Sequence, residues 1–457
     1  SILKTNMKFS DVHNTIGNYM LADGMSPVID LDKSHGSWLV DGNTGDEYLD
    51  MFSMFASLSV GYNHPYVLDN KDRLLASAIN KPTNSDIYSK SMAEFVETMG
   101  RIAQPDYLPY SFYVSGGTLA VENALKAAFD WKVRKNIAKG NPELGSKVLH
   151  FEKCFHGRSG YTLSLTDSPD PRKVKYFPKF DWPRVSAPAI HFPLDDRSLE
   201  NVKTREEKSI NEIKDAIKNN PNDIACIIIE PIQGEGGDNH FRPEFFIKLK
   251  EICLENDILL IYDEVQTGVG ITGEMWAHQH ICKINCECGS INHCIPIEPD
   301  IISFGKKTQC CGIFAGKRID EVDNNVFHES SRINSTWGGN LVDMVRFTIY
   351  LEIIEKESLV KAASENGKYL LQQLVTLQDK FSDIVSNARG KGLFCAFDLP
   401  NTQSRDDLAA TLMENKVIVL GSGEKSIRFR PHLNVKKEEI DIGISAIQKS
   451  LNSLKIG

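Results

Sequence analysis

A carboxylate and an amine stand at the ends of two apolar runs in the middle of the chain. The run 259–262 is followed at once by Asp263, and the run 301–304 is followed by Gly305 and Lys306. Apolar runs of strand length that end in polar residues place those residues at the carboxyl edge of a buried sheet, where open α/β folds bind their ligands. An acid that can pair with a protonated pyridine nitrogen, together with a lysine that can form a Schiff base, would serve chemistry that depends on pyridoxal phosphate.

Two other interpretations of these runs stay open. The run LLIYDE is also typical of the second phosphate-site strand of a P-loop ATPase, but such a protein needs an upstream G-x-x-x-x-G-K-[ST] loop. The residue five positions before Gly305 is Asp300, so that loop is not formed there. In the second interpretation, Asp263 merely caps a helix and Lys306 is solvated.

Length, composition and charge narrow the classes of protein. The 457 residues exceed one ordinary core and predict two or three domains, or one large domain with a satellite. The net charge of −9, without a basic block, argues against nucleic acid and anionic membranes as partners. Because no stretch reaches the roughly 18 consecutive apolar residues of a membrane span, and the N-terminus lacks the apolar core of a signal peptide, a cytoplasmic protein is expected.

Two strand-to-helix junctions carry glycine and further functional groups. The β-rich run 110–114 is followed by SGGT and a helical pattern, so Gly117 and Thr118 are expected at a helix N-terminus. Free N–H groups and the helix dipole make such a junction an anion site, although a plain capped helix is the alternative. The stretch FHGR brings Phe155 and Arg158 to a second turn, where an aromatic ring could cover a planar ligand and an arginine could bind a carboxylate. His156 is interpreted as a hydrogen-bonded structural residue.

Alternating strands and helices organise the middle of the chain. The run 224–229 is apolar throughout, as a strand buried on both faces requires, and it ends in the glycine-rich EPIQGEGG. This alternation predicts an α/β domain with a mostly parallel sheet flanked by helices and one functional edge. We predict an N-terminal segment of strands and turns over 1–70 that packs with the small domain, a large cofactor-binding domain over 71–344, and a smaller α+β domain over 345–457.

Four cysteines and a histidine lie close together between Cys282 and Cys294, within an insert that spans 280–298. Zinc and iron-sulfur sites use such ligands, but the spacings here match no standard pair of C-x2-C knuckles. A reduced surface insertion without a metal is therefore expected.

The order SGGT, FHGR, EPIQGEGG, DEVQTG and GK, over nearly the whole chain, resembles the class III, fold-type I aminotransferases. Segments such as PKFDWPR, FGKKTQCCG, STWGGN and IRFRP further resemble those members of the family that act on the 6-amino group of lysine; the cysteine insert departs from them. The resemblance implies pyridoxal 5′-phosphate as cofactor and transfer of that amino group from L-lysine to 2-oxoglutarate, giving 2-aminoadipate 6-semialdehyde and L-glutamate. Relatives specific for 4-aminobutyrate or ornithine share most of these motifs and remain alternatives, and an inert metal-binding or scaffold relative is a remote one.

The same resemblance implies roles for residues around the cofactor. Lys306 is the Schiff-base residue and proton carrier, with its neighbour Lys307 the less favoured candidate, and Asp263 keeps the pyridine nitrogen protonated. Gln266 lies beside the ring's O3′ and Phe155 stacks on the ring. Three further residues bind the phosphate: Gly117, Thr118 and, from the neighbouring subunit, Thr336. At least a homodimer is therefore implied.

For the substrates, the resemblance implies a site that exchanges one charge pair. Arg158 would hold the distant carboxylate of lysine and later the γ-carboxylate of 2-oxoglutarate. Arg428 would hold the α-carboxylate of the keto acid, with Arg430 as the fallback. Glu235 would pair with Arg428 while lysine is bound, because an unpaired cation there would attract the wrong end of lysine.

Overall fold

The protein is built on a central sheet of seven strands. The computed structural model describes residues 6–281 and 297–454. The strands are β1 (Trp38–Val40), β2 (Glu47–Asp50), β3 (Tyr110–Val114), β4 (Lys147–Phe151), β5 (Arg184–Val185), β6 (Ile224–Ile229), β7 (Ile232–Gln233), β8 (Asn239–His240), β9 (Leu259–Asp263), β10 (Ile301–Phe304), β11 (Cys311–Ala315), β12 (Ser386–Lys391), β13 (Phe394–Asp398), β14 (Val417–Ile418), β15 (Leu420–Ser422) and β16 (Ser426–Phe429).

Helices precede, separate and follow these strands. They are α1 (Val12–Gly17), α2 (Ser53–Ala56), α3 (Pro65–Asp69), α4 (Lys71–Ile79), α5 (Lys90–Ile102), α6 (Gly117–Ala138), α7 (Gly160–Leu163), α8 (Asp196–Asn219), α9 (Pro243–Glu255), α10 (Leu341–Lys356), α11 (Leu359–Lys380), α12 (Thr402–Glu414) and α13 (Lys437–Ser453), with short 3-10 turns at Phe9–Asp11, Pro171–Lys173, Lys306–Thr308 and Lys317–Glu321.

The central sheet has the order β3-β11-β10-β9-β6-β4-β5. The pairs from β10 through β5 are parallel, and β11 runs antiparallel to both of its neighbours. Asp263 at the end of β9 is paired in register with Ser303 of β10. This register brings Asp263 close to the turn that carries Lys306, which begins two residues after Phe304. The mostly parallel sheet predicted from the sequence is thus present.

The sheet is covered on both faces, which explains the nearly continuous apolar strands. On β6, Ile228 packs into one hydrophobic cluster with residues of α6, whereas Ile227 and Ile229 pack into another with residues of α9. Every residue of β6, β9 and β10 is buried. The parallel strands therefore present only their carboxyl ends to ligands.

A second sheet near the C-terminus carries the substrate arginine predicted from the sequence. Its strands are antiparallel in the order β12-β13-β16-β15, and Arg428 lies on β16. Near the other end of the chain, β1 and β2 form the antiparallel pair expected there. The late strand β14 adds to β2 in parallel, with Val417 opposite Leu49. The boundaries at 70 and 344 stay a prediction.

Two predictions concern features at the margins of this fold. The insert from Cys282 to Cys294 lies outside the described residues. The expectation that it binds no metal therefore stays a prediction. Within the described ranges, none of the helices combines the length and apolar character needed to cross a membrane.

Candidate active site

A cavity of about 270 Å³ lies where several strands of the central sheet end. Its walls come from the segments that directly follow β3, β4, β6, β9 and β10. Among its lining residues are most of those predicted from the sequence: Gly117, Thr118, Phe155, Glu235, Asp263, Gln266 and Lys306. The acid and the amine that could grip one heterocycle therefore face one shared space.

Asp263 is held as a hydrogen-bond acceptor from several sides. It is 4% exposed. Its Oδ1 accepts from the backbone N–H of Val265 at 3.0 Å and the hydroxyl of Ser303 at 3.2 Å. Its Oδ2 lies 2.7 Å from Nδ1 of His156, which donates because an ionised carboxylate only accepts. His156 is thus a hydrogen-bonded residue, as expected, and its partner is the acid of the site.

A second buried acid, Glu230, lies close to the first. It directly follows β6 and accepts the backbone N–H groups of Phe155 at 3.0 Å and Gly234 at 3.2 Å. Burial and then the charge of Asp263 raise the pKa of Glu230 well above its usual range. This shift favours the neutral carboxyl group, which accepts both N–H groups without adding a second negative charge beside Asp263.

The two adjacent lysines point to different surroundings. Lys306 is half-buried and lines the cavity. Burial lowers its pKa, opposed by the charge of Glu235 and helped by that of Arg428. Lys307 is 1% exposed, and its Nζ donates to the carbonyl of Ala56 at 2.8 Å. Lys306 is therefore the lysine placed to react in the cavity.

The backbone at Lys306 is unusual. Its φ is 52°, in the left-handed region that residues other than glycine seldom adopt. Such outliers persist where the surrounding structure enforces them, and they cluster at functional sites.

Glu235 and Arg428 form the ion pair that the sequence comparison implied. Arg428 Nη2 lies 2.8 Å from Glu235 Oε1, and the arginine side chain is 3% exposed. Burial acts to raise the pKa of Glu235, but the charge and hydrogen bond of Arg428 outweigh it, so the pKa lies below its usual value. Arg428 also donates to Gln266 Oε1 at 3.1 Å. The carboxylate thus stands between Arg428 and the cavity.

Arg430, the fallback for carboxylate binding, has another partner. It is fully buried and donates through both terminal nitrogens to Asp238, at 3.0 and 2.6 Å. It also donates to Gln266 Oε1 at 2.9 Å and stacks 3.4 Å from the centroid of the Phe394 ring. With these contacts Arg430 holds Gln266 in place, whereas among the residues that the structure describes Arg428 is ion-paired with Glu235 alone.

The phosphate-site prediction rests on the start of α6. Gly116 has a φ of 115°, which an L side chain would strain, and the helix begins at Gly117. The first N–H groups of a helix have no partner within it, so they and the hydroxyl of Thr118 can receive a phosphate. Gly157 comes so close to this helix that an added Cβ would lie 2.5 Å from Thr118 Oγ1.

Three predicted residues do not line the cavity within this chain. Arg428 is one of them, and hydrogen bonds join it to the lining residues Glu235 and Gln266. Arg158 is exposed and is not among the lining residues. Thr336 is exposed too, on the loop before α10. An exposed position is compatible with action across a subunit boundary.

Sequence reasoning missed several residues around the site. Asp238 gave a weak signal, an acid directly after a glycine run, but its bond to Arg430 joins positions far apart in the chain. The roles of Glu230 and Lys307 depend on burial and could not be read from residue type. Ile232, Val265 and Thr267 line the cavity as ordinary-looking neighbours of the motifs.

Comparison with known proteins identifies the family. The model of the family described as Aminotransferase class-III matches residues 20–451. The chain belongs to this family and is an aminotransferase, so the predicted enzyme class and fold type are confirmed.

Similar proteins narrow the relationship further. An L-lysine-epsilon aminotransferase of Mycobacterium bovis is 50% identical over 444 residues, which are 96% of this chain and 95% of that protein. The L-lysine-epsilon aminotransferase of Amycolatopsis lactamdurans is 45% identical over 447 residues, 97% of this chain and 96% of that protein. A solved structure of a lysine aminotransferase from M. tuberculosis in the internal aldimine form superposes with a TM-score of 0.93 at 49% identity, covering 98% of this chain and all of that one.

The cofactor of this family is pyridoxal 5′-phosphate, and the residues present fit it. One cavity combines a buried acid for the ring nitrogen, an amine whose pKa is lowered by burial, an aromatic side chain and a helix N-terminus. These four parts match the aldehyde, the ring and the phosphate of the cofactor.

Proposed function

We propose that this chain transfers the 6-amino group of L-lysine to 2-oxoglutarate, giving 2-aminoadipate 6-semialdehyde and L-glutamate. The observation that carries the proposal is the ion pair of Glu235 with Arg428 beside the cavity that holds Asp263 and Lys306. The similarity to lysine aminotransferases, which extends over nearly the whole chain, supports L-lysine as the amino donor. Enzymes for 4-aminobutyrate or ornithine are the alternatives.

Lys306 and Asp263 serve the chemistry at the cofactor. When bound, pyridoxal 5′-phosphate supplies an aldehyde that carries the amino group and a ring that accepts electrons from the substrate carbon. Lys306 would hold the cofactor through Nζ, and its lowered pKa leaves more of the amine neutral and nucleophilic. The same Nζ would take and return the proton at the carbon that bears the 6-amino group of lysine. Asp263, which is oriented by His156, would accept the N–H of the ring nitrogen and so favour its charged form.

Glu235 and Arg428 allow one site to accept two substrates with different carboxylate positions. Lysine offers a side-chain amine with its carboxylate far from the reacting carbon, whereas 2-oxoglutarate has a carboxylate next to it. While Glu235 neutralises Arg428, the α-carboxylate of lysine gains nothing by entering the cavity first. When the keto acid binds, Glu235 swings aside and Arg428 takes its α-carboxylate in a bidentate fork.

Gln266 and Arg158 complete the proposed substrate site. Gln266 receives N–H groups from both arginines through Oε1, which turns its amide nitrogen toward other partners, and O3′ of the cofactor is the partner we propose. Arg158, at the exposed turn after β4, takes the distant carboxylate of lysine and then the γ-carboxylate of 2-oxoglutarate. Thr336 binds the phosphate of the neighbouring subunit in a homodimer. The dimer and the cytoplasmic location remain predictions.

A donor panel tests the proposed reaction. With 2-oxoglutarate as acceptor, we expect kcat/KM for L-lysine to exceed that for ornithine and 4-aminobutyrate by about tenfold or more, a difference of about 1.4 kcal/mol in transition-state binding. The semialdehyde product should be trapped from lysine and quantified against glutamate. A higher kcat/KM for 4-aminobutyrate or ornithine than for lysine would show that lysine is not the preferred amino donor.

Removing the carboxylate of Glu235 tests the masking role. In Glu235→Ala we expect the half-reaction with lysine to slow about tenfold or more, because the bare Arg428 attracts the α-carboxylate of lysine into the wrong place, while the half-reaction with 2-oxoglutarate changes less than about threefold. Single-turnover absorbance changes with each substrate measure the two halves separately.

Two control variants accompany this measurement. Glu235→Gln keeps the shape and removes the charge, and it should behave like the alanine variant. Glu206→Gln breaks a matched ion pair, in which Glu206 Oε1 lies 2.6 Å from Arg242 Nη2. Because Glu206 is distant in sequence from the cavity residues, this change should alter neither half-reaction by more than about twofold. Equal slowing of both half-reactions in Glu235→Ala would reject the masking role.

A further inference from the structure

A left-handed turn stands against the lysine turn of the site. In α2, the φ angles of Ser53, Met54, Phe55 and Ala56 are 43°, 53°, 59° and 62°. None of the four is a glycine, and side chains crowd the backbone in this conformation. Strain of this kind persists only where surrounding contacts enforce it, and it clusters at functional sites.

An acid fixes the entry of this turn. Asp50 accepts through Oδ1 the backbone N–H groups of Phe52 at 2.9 Å and Ser53 at 2.7 Å. The hydroxyl of Tyr62 donates to the other oxygen of Asp50 at 2.5 Å. The turn is therefore held from its N-terminal side by a residue of β2.

The exit of the turn is fixed by the residues that follow Lys306. The buried Nζ of Lys307 donates to the carbonyl of Ala56 at 2.8 Å. Nε2 of Gln309 donates to the carbonyl of the next residue, Ser57, also at 2.8 Å. Two successive carbonyls of the left-handed turn thus bind two side chains of the lysine turn.

The same segment reaches the strand that carries Arg428. The backbone N–H of Arg430 donates to the carbonyl of Met51 at 2.7 Å, and that of Leu433 donates to the carbonyl of Ser59 at 2.9 Å. Residues 50–59 thereby join the lysine turn on one side to the end of β16 on the other.

Burying the amine of Lys307 carries an unfavourable free energy of desolvation. Lys307 is 1% exposed, and among the described residues no carboxylate lies within ion-pair distance of it. Burial, with the charges of Arg430 and Lys306, lowers the pKa of Lys307 well below its usual range. An apolar side chain would fill the same space without the cost of desolvating an amine, so the bond to Ala56 is the feature that the lysine adds.

We propose that Lys307 is a positioning residue: by tying the left-handed turn 53–56 to the turn 306–308, it sets where the amine of Lys306 lies relative to the cofactor aldehyde and to Arg428. The inference rests on the proposed role of Lys306 as the residue that bonds to the cofactor. Small displacements of a reacting group slow a reaction strongly, so the bond affects the rate at which Lys306 attacks.

The test is the rate of cofactor attachment in a matched pair of variants of the full chain. Lys307→Met removes the amine and keeps the length of the side chain. Lys132→Met is the control, because Lys132 is 4% exposed and its Nζ donates to the carbonyl of Asp257 at 2.7 Å, away from the cavity lining. Apoenzyme is mixed with saturating pyridoxal 5′-phosphate, and the visible absorbance of the lysine-bound cofactor is followed with time. Melting temperatures are measured alongside.

Attachment is expected to be about tenfold slower in Lys307→Met and within about twofold of the unmodified chain in Lys132→Met, although both variants melt at lower temperature. Unchanged attachment in Lys307→Met, or equal slowing in both variants, would overturn the proposal. If Lys307→Met is insoluble, Gln309→Ala removes the neighbouring bond to Ser57, and it should slow attachment about threefold; no slowing there would also overturn it.

The same experiment separates this proposal from the proposed function. Attachment of the cofactor requires no amino donor. If the chain binds the cofactor but does not use lysine, the proposed substrate is refuted and the result for Lys307 still stands. Borohydride reduction followed by peptide mass analysis identifies the bonded lysine. Attachment at Lys307 itself would overturn both the role of Lys306 as the bonded lysine and the role of Lys307 as the positioning residue.

Discussion

Replacing Lys306 with alanine is expected to lower kcat by about 10⁴-fold or more. The variant loses the amine that bonds to the cofactor and the group that moves the proton, and a positioned general base alone contributes roughly 10² to 10⁴-fold. Because Lys306 is half-buried at the surface of a preformed cavity, the melting temperature should change by less than about 3 °C. The measurement is steady-state turnover with L-lysine and 2-oxoglutarate.

Chemical rescue distinguishes a lost base from a damaged fold in this variant. A small primary amine such as methylamine can enter the space left by the side chain and accept the proton, so added amine should restore part of the rate in proportion to its concentration. Lys306→Arg, which keeps a charge but cannot bond in the same way, should stay inactive and gain nothing from added amine. Full activity of Lys306→Ala would refute the assignment.

The second large effect is expected for Asp263→Asn. Asparagine has the same shape but cannot balance a charged ring nitrogen, and its amide nitrogen would face donors such as the backbone N–H of Val265. The ring then accepts electrons less readily, and kcat should fall by about 10³-fold, the equivalent of about 4 kcal/mol. Cofactor attachment to Lys306 should persist, since it does not depend on the charge of the ring nitrogen.

A matched acid and a modified cofactor make this prediction specific. Asp300 is equally buried, at the start of β10, where it pairs with Lys250 at 3.3 Å and Arg318 at 2.9 Å. Asp300→Asn should lower the melting temperature at least as much as Asp263→Asn and leave kcat within about threefold. An N-methylated cofactor carries a permanent ring charge, so it should restore part of the rate of Asp263→Asn. A similar loss of kcat in both variants would reject a direct role for Asp263.

The predictable part of the site is the part written in consecutive residues. Asp263 ends a continuous apolar strand and Lys306 follows another after a single glycine, and parallel strands bring such ends to one edge whatever their separation in the chain. The helix start at Gly117 was predictable for a similar reason, because strand, glycine turn and helix follow one another directly in the chain.

The unpredicted part depends on contacts between distant segments. Asp238 and Arg430 form a buried pair across 192 positions, and nothing near either residue indicates its partner. The left-handed run at Ser53–Ala56 contains no glycine to announce it. The family resemblance favoured Lys306 over Lys307, but the buried bond of Lys307 to Ala56 could not be predicted from residue type. The roles of all the site residues stay predictions, and for Arg158 and Thr336 the single chain adds no contact with the cavity, because neither lines it.

The parallel pairing of β2 with β14 has a consequence for synthesis on the ribosome. β2 ends at Asp50 and its parallel partner begins at Val417, so this edge of β2 stays unpaired while the residues between them are translated. The strand that carries Arg428 emerges later still. The segments that carry Asp263 and Lys306 are thus made before the strand that carries Arg428, so the cation proposed to bind the keto acid is a later part of the site to be synthesised.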